Sequence, residues 1–317
     1  MSTPLLIDTG RSPRGWSRIG QFMKCPQRYA YSDVLGIELI PGPALIRGTM
    51  GHLMQAHQHA RWGAAQGGCW AGDTWVEDPD ELLDPYQAID EYCKLHPRAM
   101  SYLGDMVTTF DKYMEQYPEP LGRVLGVEYL VQAHVGTSQG EYVFWVEGSE
   151  KPADFEPCTV PYINRQGQLV GRPMSITRRI DLLTEKRGRT WIWDHKHQAS
   201  VALGRSKDGY TMDGGFGVFR IMGQQLFGSS FGGVYLNLVQ RLDPWKVVQV
   251  AVPPTPWRDK HLPWMIAEAE ERLATLEPRD PWQWPKAQSE TVCVGRYGAC
   301  RALNLCRFGQ RGLETMK

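Results

Sequence analysis

Residues 176–197 read ITRRIDLLTEKRGRTWIWDHKH, and the fold turns on how this stretch is paired. Two runs rich in Ile, Leu, Thr and Trp flank Lys186-Arg187-Gly188-Arg189. Such runs around a Gly-containing turn predict two strands of an antiparallel hairpin. With Arg187-Gly188 as a two-residue loop, Lys186 pairs with Arg189. Counting back then places Asp181 opposite Asp194. Their side chains share one face, with Cβ atoms about 5 Å apart. Like charges directly opposite one another destabilise a sheet. A divalent cation offsets that repulsion, and hard carboxylate oxygens suit Mg2+ or Mn2+. Lys196, two residues after Asp194, falls on the same face by the strand period. An ammonium there can orient a nucleophile or stabilise charge on a phosphate. The competing reading is a solvated sheet face on which Lys196 links two surface aspartates. Ile180, Leu182, Leu183, Trp191, Ile192 and Trp193 weigh against it, because they make both faces apolar, as in a buried central strand. The pairing depends on register, since a one-residue slip would put the carboxylates on opposite faces.

Outward from the hairpin, the chain shows no internal repeat and no low-complexity linker. Residues 14–36 predict a helix starting at Ser17 and interrupted at Pro26. Residues 44–63 predict a His-rich helix, 64–80 a loop, and 81–118 two helices broken at Pro97. Val, Tyr, Phe and Trp in 122–134 and 141–147 predict strands. Residues 211–230 read as a Gly-rich helix, 232–240 and 245–253 as strands, and 256–277 as a helix. The tail after Pro285 is irregular and carries three cysteines. This order predicts an α/β (α+β) fold with a central mixed sheet flanked by helices.

The 317 residues suffice for one large domain or two small ones. Lys+Arg and Asp+Glu both number 35, so the net charge is zero, which counts against coating nucleic acid by bulk charge. A local basic run does exist: Arg172, Arg178, Arg179, Lys186, Arg187, Arg189 and Lys196. Such a run is most often a solvated face. No apolar run approaches the roughly 18–20 residues of a membrane span. Met1–Gly20 has no apolar signal core, so the expected location is the cytoplasm. There, cysteines are more often metal ligands, catalytic groups or buried thiols than disulfides.

The run R-R-I-D-L-L followed by W-I-W-D-H-K resembles the second and third motifs of the PD-(D/E)XK nuclease superfamily. The resemblance is strongest to the RecB/AddB-like branch, which includes CRISPR adaptation nucleases and phage exonucleases. It implies a restriction-endonuclease-like core in which Asp181 and Asp194 bind the metal and Lys196 is catalytic. The backbone carbonyl of His195 is a further implied metal contact. Gly48-Thr49-Met50-Gly51-His52 matches the branch's upstream G-x-x-x-H, which implies His52 as a ligand. His59 shares the helix face of His52, while His57 points elsewhere. A downstream Q-x-x-x-Y motif is met only in part. Gln224 and Gln225 are present, with Gln224 slightly favoured, but no tyrosine follows four residues after either. Glu128, on the strand before the hairpin, is a weaker acidic candidate.

Cys293, Cys300 and Cys306 cluster in the tail, and Cys25 precedes Pro26 far upstream. Four thiolates suit tetrahedral zinc or an iron–sulfur cluster, and spacing does not separate the two. The resemblance implies a [4Fe–4S] cluster on these four residues, joining the two ends of the chain. Cys69, Cys93 and Cys158 read as ordinary thiols. The implied organisation is a single nuclease domain over 1–317. It holds a cluster-linked segment over 1–43, a helical part over 44–120, the core over 121–277 and a cysteine-rich segment over 278–317.

The expected activity is metal-dependent hydrolysis of DNA phosphodiesters, as an exonuclease at single-stranded or duplex ends. The expected setting is recombination, repair or phage DNA processing, with a possible helicase or integrase partner and no membrane association. Trp191 and Trp193 fit the core better than base stacking, although stacking would favour single strands. Two rivals stand beside this expectation. One is a non-catalytic DNA-binding or assembly subunit that keeps the nuclease fold, and the other is a zinc-stapled protein that binds protein partners.

Overall fold

The computed structural model describes residues 4–316 apart from 11, 13, 38, 40, 164–166, 200–208, 212, 288–289 and 296–297. In chain order the principal elements begin with helices α1 (Trp16–Lys24), α2 (Pro26–Tyr29) and α3 (Pro43–Ala65). Strands β1 (Cys69–Ala71) and β2 (Thr74–Val76) precede α4 (Pro85–Leu95) and α5 (Leu103–Gln116). Then come β3 (Arg123–Ser138), β4 (Glu141–Val146), β5 (Glu156–Pro157), β6 (Thr159–Ile163), β7 (Leu169–Pro173), β8 (Ser175–Lys186) and β9 (Arg189–Gln198). Helix α6 (Gly214–Phe227), β10 (Phe231–Gln240), β11 (Lys246–Val252) and α7 (Pro256–Leu276) complete the main elements. No helix among the described residues is long and apolar enough to cross a membrane.

Local chemistry explains most boundaries. Pro26 does break the first helix: Cys25 is extended, and Pro26 restarts the chain at the first position of α2, where its missing N–H costs nothing. Asp84 caps α4 through a reciprocal capping box with Gln87. The expected loop over 64–80 contains the β1–β2 hairpin. Strands of three residues are too short to show alternation in sequence. Arg187 and Gly188 both have positive φ, 56° and 71°, the conformation of a tight hairpin turn whose twist matches its strands.

The chain forms two compact units. The first comprises Met1–Ser12, Gly42–Gln132 and Arg178–Asp259. Its strands are ordered β11-β10-β9-β8-β3-β1-β2. The sheet is mixed: β8–β9 and β10–β11 are antiparallel, while β9–β10 and β1–β3 are parallel. Ala56 and Ala60 of α3 pack in one core with Leu182 and Trp193. The small side chains let the helix approach the sheet closely. A second core joins α3 to α4 and α5 through Met50, Met54, Ile89, Met106 and Phe110.

His57 pins the start of this unit. Its Nε2 accepts the Ile7 N–H at 3.1 Å, and its Nδ1 donates to the Leu83 carbonyl at 3.0 Å, so the ring must be neutral. Burial lowers its pKa from 6.5 to about 4. A histidine depressed on folding supports the fold above 6.5. That support is lost as pH falls toward 4, because the unfolded chain takes the proton first. The loss is on the order of 3 kcal/mol. In His57→Gln, urea melts between pH 7 and 4.5 should therefore show a shallower fall in stability than wild type. An unchanged slope would assign the acid sensitivity elsewhere.

The second unit comprises Pro13–Pro41, Ala133–Thr177 and Lys260–Lys317. Within it, β4 and β5 pair with the later part of β3, and β6 pairs with β7. Tyr29 stacks on Trp284 with ring centroids 6.2 Å apart, and its hydroxyl accepts from Arg18 at 2.6 Å. Arg172 forks onto Glu277 at 2.8 and 3.0 Å and reaches Glu270 at 3.3 Å. This member of the basic run is therefore an ion-paired anchor rather than a solvated charge.

Candidate active site

The hairpin register is the one counted from its turn. Pairs run from Lys186↔Arg189 to Leu182↔Trp193, which brings Asp181 and Asp194 next in line. At that point a side chain takes over the bridging: Asp181 Oδ2 accepts the His195 backbone N–H at 2.7 Å. The carboxylate is thereby held at the site by the opposing strand's own backbone. His52, near the middle of α3, places Nδ1 at 3.4 Å from the same Oδ2.

Glu128 completes the group. It sits in β3 with φ 50°, a left-handed conformation unusual for a strand residue. Ligand atoms of His52, Glu128 and Asp181 all lie within 4.8 Å of one another, and among the described residues they alone form such a trio. Donors about 2.0–2.6 Å from a shared cation are separated by about this much. Glu128 is 4 % exposed. Burial first, and then the charge of Asp181, push its carboxyl well above the usual range, although Arg179 opposes this with Nε at 4.0 Å.

Asp194 is also buried, and burial raises its pKa against the opposing pull of Lys196. The Lys196 ammonium lies against Asp194 Oδ2 as an ion pair and reaches the His195 carbonyl at 3.4 Å. Burial disfavours the ammonium, but Asp194 and Asp181 outweigh it and raise the lysine's pKa. Arg178 is drawn toward the same carboxylates and lies over the Phe219 ring at 3.9 Å. Two carboxylates, Glu128 and Asp181, thus converge with one imidazole, and Asp194 lies outside that trio but acts on both through its charge. The set is rich in oxygen donors, with residual repulsion that a divalent cation would relieve.

The sequence profile of the PD-(D/E)XK nuclease superfamily matches residues 16–307. The chain belongs to that superfamily. No curated protein matches it. The mixed sheet flanked by helices is the restriction-endonuclease-like core that membership implies.

Within this nuclease core, the structure brings His52, Asp181, Asp194, Lys196 and Glu128 together, with the His195 carbonyl beside Lys196. It does not bring Gln224 to them. Gln224 is exposed on α6, donates to the Gly228 carbonyl at 3.2 Å, and lines a separate cavity with Trp191 and Phe231. The four cysteines all fall in the second unit. Burial raises the Cys306 thiol, and Cys25, Cys300 and Cys293 raise it further, so the four influence one another. No three of them meet the 4.8 Å spacing of the acidic site.

Several supporting residues have no motif to announce them. Arg178 and Arg179 read as part of a solvated run, yet Arg178 is buried within the electrostatic reach of Asp194 and Asp181, and Arg179 places Nε 4.0 Å from Glu128. Their position directly before I-D was the available signal. Behind the candidate donors, His59 stacks on His195 at 5.4 Å and bonds the Tyr113 hydroxyl at 2.9 Å. Asn237 holds His195 Nδ1 at 3.0 Å. In the G-x-x-x-H stretch, Gly48 has open space around it, whereas the His197 ring occupies the space a Cβ on Gly51 would need. Gly51 is thus the glycine that the packing demands.

Proposed function

We propose that the protein is a divalent-metal-dependent deoxyribonuclease of the RecB/AddB-like branch, acting as an exonuclease at DNA ends in recombination, repair or phage DNA processing. The convergence of His52, Glu128 and Asp181, with the Asp194–Lys196 pair alongside, carries the reading. His52, Glu128, Asp181 and Asp194 would hold Mg2+ or Mn2+, which would supply Lewis acidity toward a phosphodiester and toward water. The His195 N–H fixes the orientation of Asp181. Lys196, kept protonated by Asp194 and Asp181, offers a positive charge where phosphate charge develops. Anaerobically purified protein should shorten end-labelled single- or double-stranded DNA with Mg2+ or Mn2+, and the label pattern gives polarity. Absence of cleavage by folded protein would favour a binding or assembly subunit.

The same reading assigns Cys25, Cys293, Cys300 and Cys306 to a [4Fe–4S] cluster, supported by their mutual influence in one unit. Anaerobic preparations should be brown and hold iron, and Cys306→Ala should lose both colour and several degrees of melting temperature. Cys69→Ala should keep the colour. A colourless protein with stoichiometric zinc would assign the four thiolates to zinc instead.

A further inference from the structure

Beside the hairpin tip lies an open groove of about 510 Å3, lined by Lys186, Arg187, Arg189, Trp191, Tyr235 and Gln249, with Leu121 and Trp193 at its walls. Three cations line it and, among the described residues, no carboxylate does. The neighbouring Glu185 is engaged by Arg123 at 3.2 Å and by the Gly188 N–H at 3.2 Å. The aromatic wall is rigidly seated. Trp191 lies against the backbone of Gly232, in the space a Cβ there would need. A register shift between Phe231 and Gly233, with Gly233 at φ 130°, shapes that seat. Tyr235 meets Trp191 at 5.4 Å and stacks on Trp193 at 4.9 Å. Trp193 is core, 6 % exposed, and backs the wall. Trp191 and Tyr235 also line a second cavity of about 730 Å3, so the two spaces share a wall.

We infer that this groove is a second nucleic-acid site, which holds single-stranded DNA on the sheet face opposite Asp194 and Lys196. Strand alternation separates the two faces: Trp191 and Trp193 are one residue out of phase with Asp194 and Lys196. Guanidinium and ammonium groups meet phosphates, and fixed aromatic faces stack unpaired bases without reading sequence. A duplex keeps its base faces inside the stack and cannot use the wall. An acidic peptide would use the cations but leave Trp191 and Tyr235 idle. The choice of polymer rests on the nuclease reading, but the binding does not require cleavage.

The test is binding of a labelled oligothymidylate of roughly 15 nucleotides, the upper range for one such site, with EDTA present throughout. Arg187→Gly combined with Arg189→Gln should weaken binding about tenfold. The salt dependence should become shallower by about 1.4 in log–log slope, because two fewer phosphates are neutralised. Trp191→Leu should weaken binding about tenfold and Trp191→Phe much less. An oligonucleotide carrying 5-iododeoxyuridine should crosslink to Trp191 or Tyr235 in the unaltered protein, a result independent of variant folding. Unchanged affinity in the arginine variant, crosslinks only elsewhere, or equal competition by duplex or by an acidic peptide would overturn the proposal. Protein that binds in EDTA but does not cut once Mg2+ or Mn2+ is restored would refute the nuclease reading alone. Protein that cuts, with no binding change in these variants, would refute the groove alone.

Discussion

Asp194→Asn should leave DNA cleavage at least about a thousandfold below wild type, a barrier increase of about 4 kcal/mol. The substitution keeps the shape of the side chain and removes two things at once: the charge of a proposed metal ligand and the counter-charge of Lys196. Stability should change little, because burial already opposes the carboxylate charge and Lys196 keeps Asp181 and the His195 carbonyl as neighbours. Lys196→Met should also lose activity, with a different stability signature. It leaves Asp194 buried without its cation, and breaking such a pair costs about 3–5 kcal/mol. Thermal melts beside a cleavage assay separate the two: a metal-free Asp194→Asn protein should melt within a few degrees of wild type, and Lys196→Met well below it. Residual cleavage by Asp194→Asn near the wild-type level would remove this carboxylate from the chemistry.

Saturating Mn2+ should raise the melting temperature of the wild type by several degrees. Without a cation the folded state keeps Glu128 and Asp181 close together, and Glu128 is forced toward its neutral form. A cation bound only by the folded chain adds about 2.7 kcal/mol at a hundredfold excess over its Kd. The effect should disappear in a His52→Ala, Asp181→Asn double variant, which lacks two of the three clustered donors. It should also grow between pH 5 and 8. A carboxyl with a raised pKa destabilises the folded state increasingly as pH rises above its ordinary value of 4.5, and the metal offsets that burden. An Mn2+-induced shift that persists unchanged in the double variant would place the stabilising ion somewhere else.

The hairpin was legible because its turn fixes its register. Arg187-Gly188 admits one favoured two-residue loop, and every partner follows from it. That His52 and Asp181 meet, and that Asp194 pairs with Lys196 beside them, followed from that register and from resemblance. Glu128 was only faintly legible, because no motif marks it and its left-handed backbone cannot be read from the sequence. Gln224 misled because a motif half met constrains nothing, and α6 carries its amide to a different cavity. Arg178 and Arg179 looked like solvated charge because composition does not report whether an anion is buried beside them. The network of His59, Tyr113 and Asn237 draws its members from α3, α5 and β10, and no local spacing can foretell a meeting of residues so far apart in sequence.

Each compact unit is assembled from three separated stretches of chain, and the first is not complete until Asp259. Neither unit can therefore be cut out as one continuous fragment. During synthesis Ile7 emerges before His57, and Leu83 follows only 26 residues after it. His52 must wait for Asp181, more than a hundred residues later. At about 5–20 residues per second, the ribosome exposes α3 for several seconds before the strand that supplies its partner emerges. The face of α3 that bears His52 thus stays uncovered by its sheet strands while the chain between them is being made.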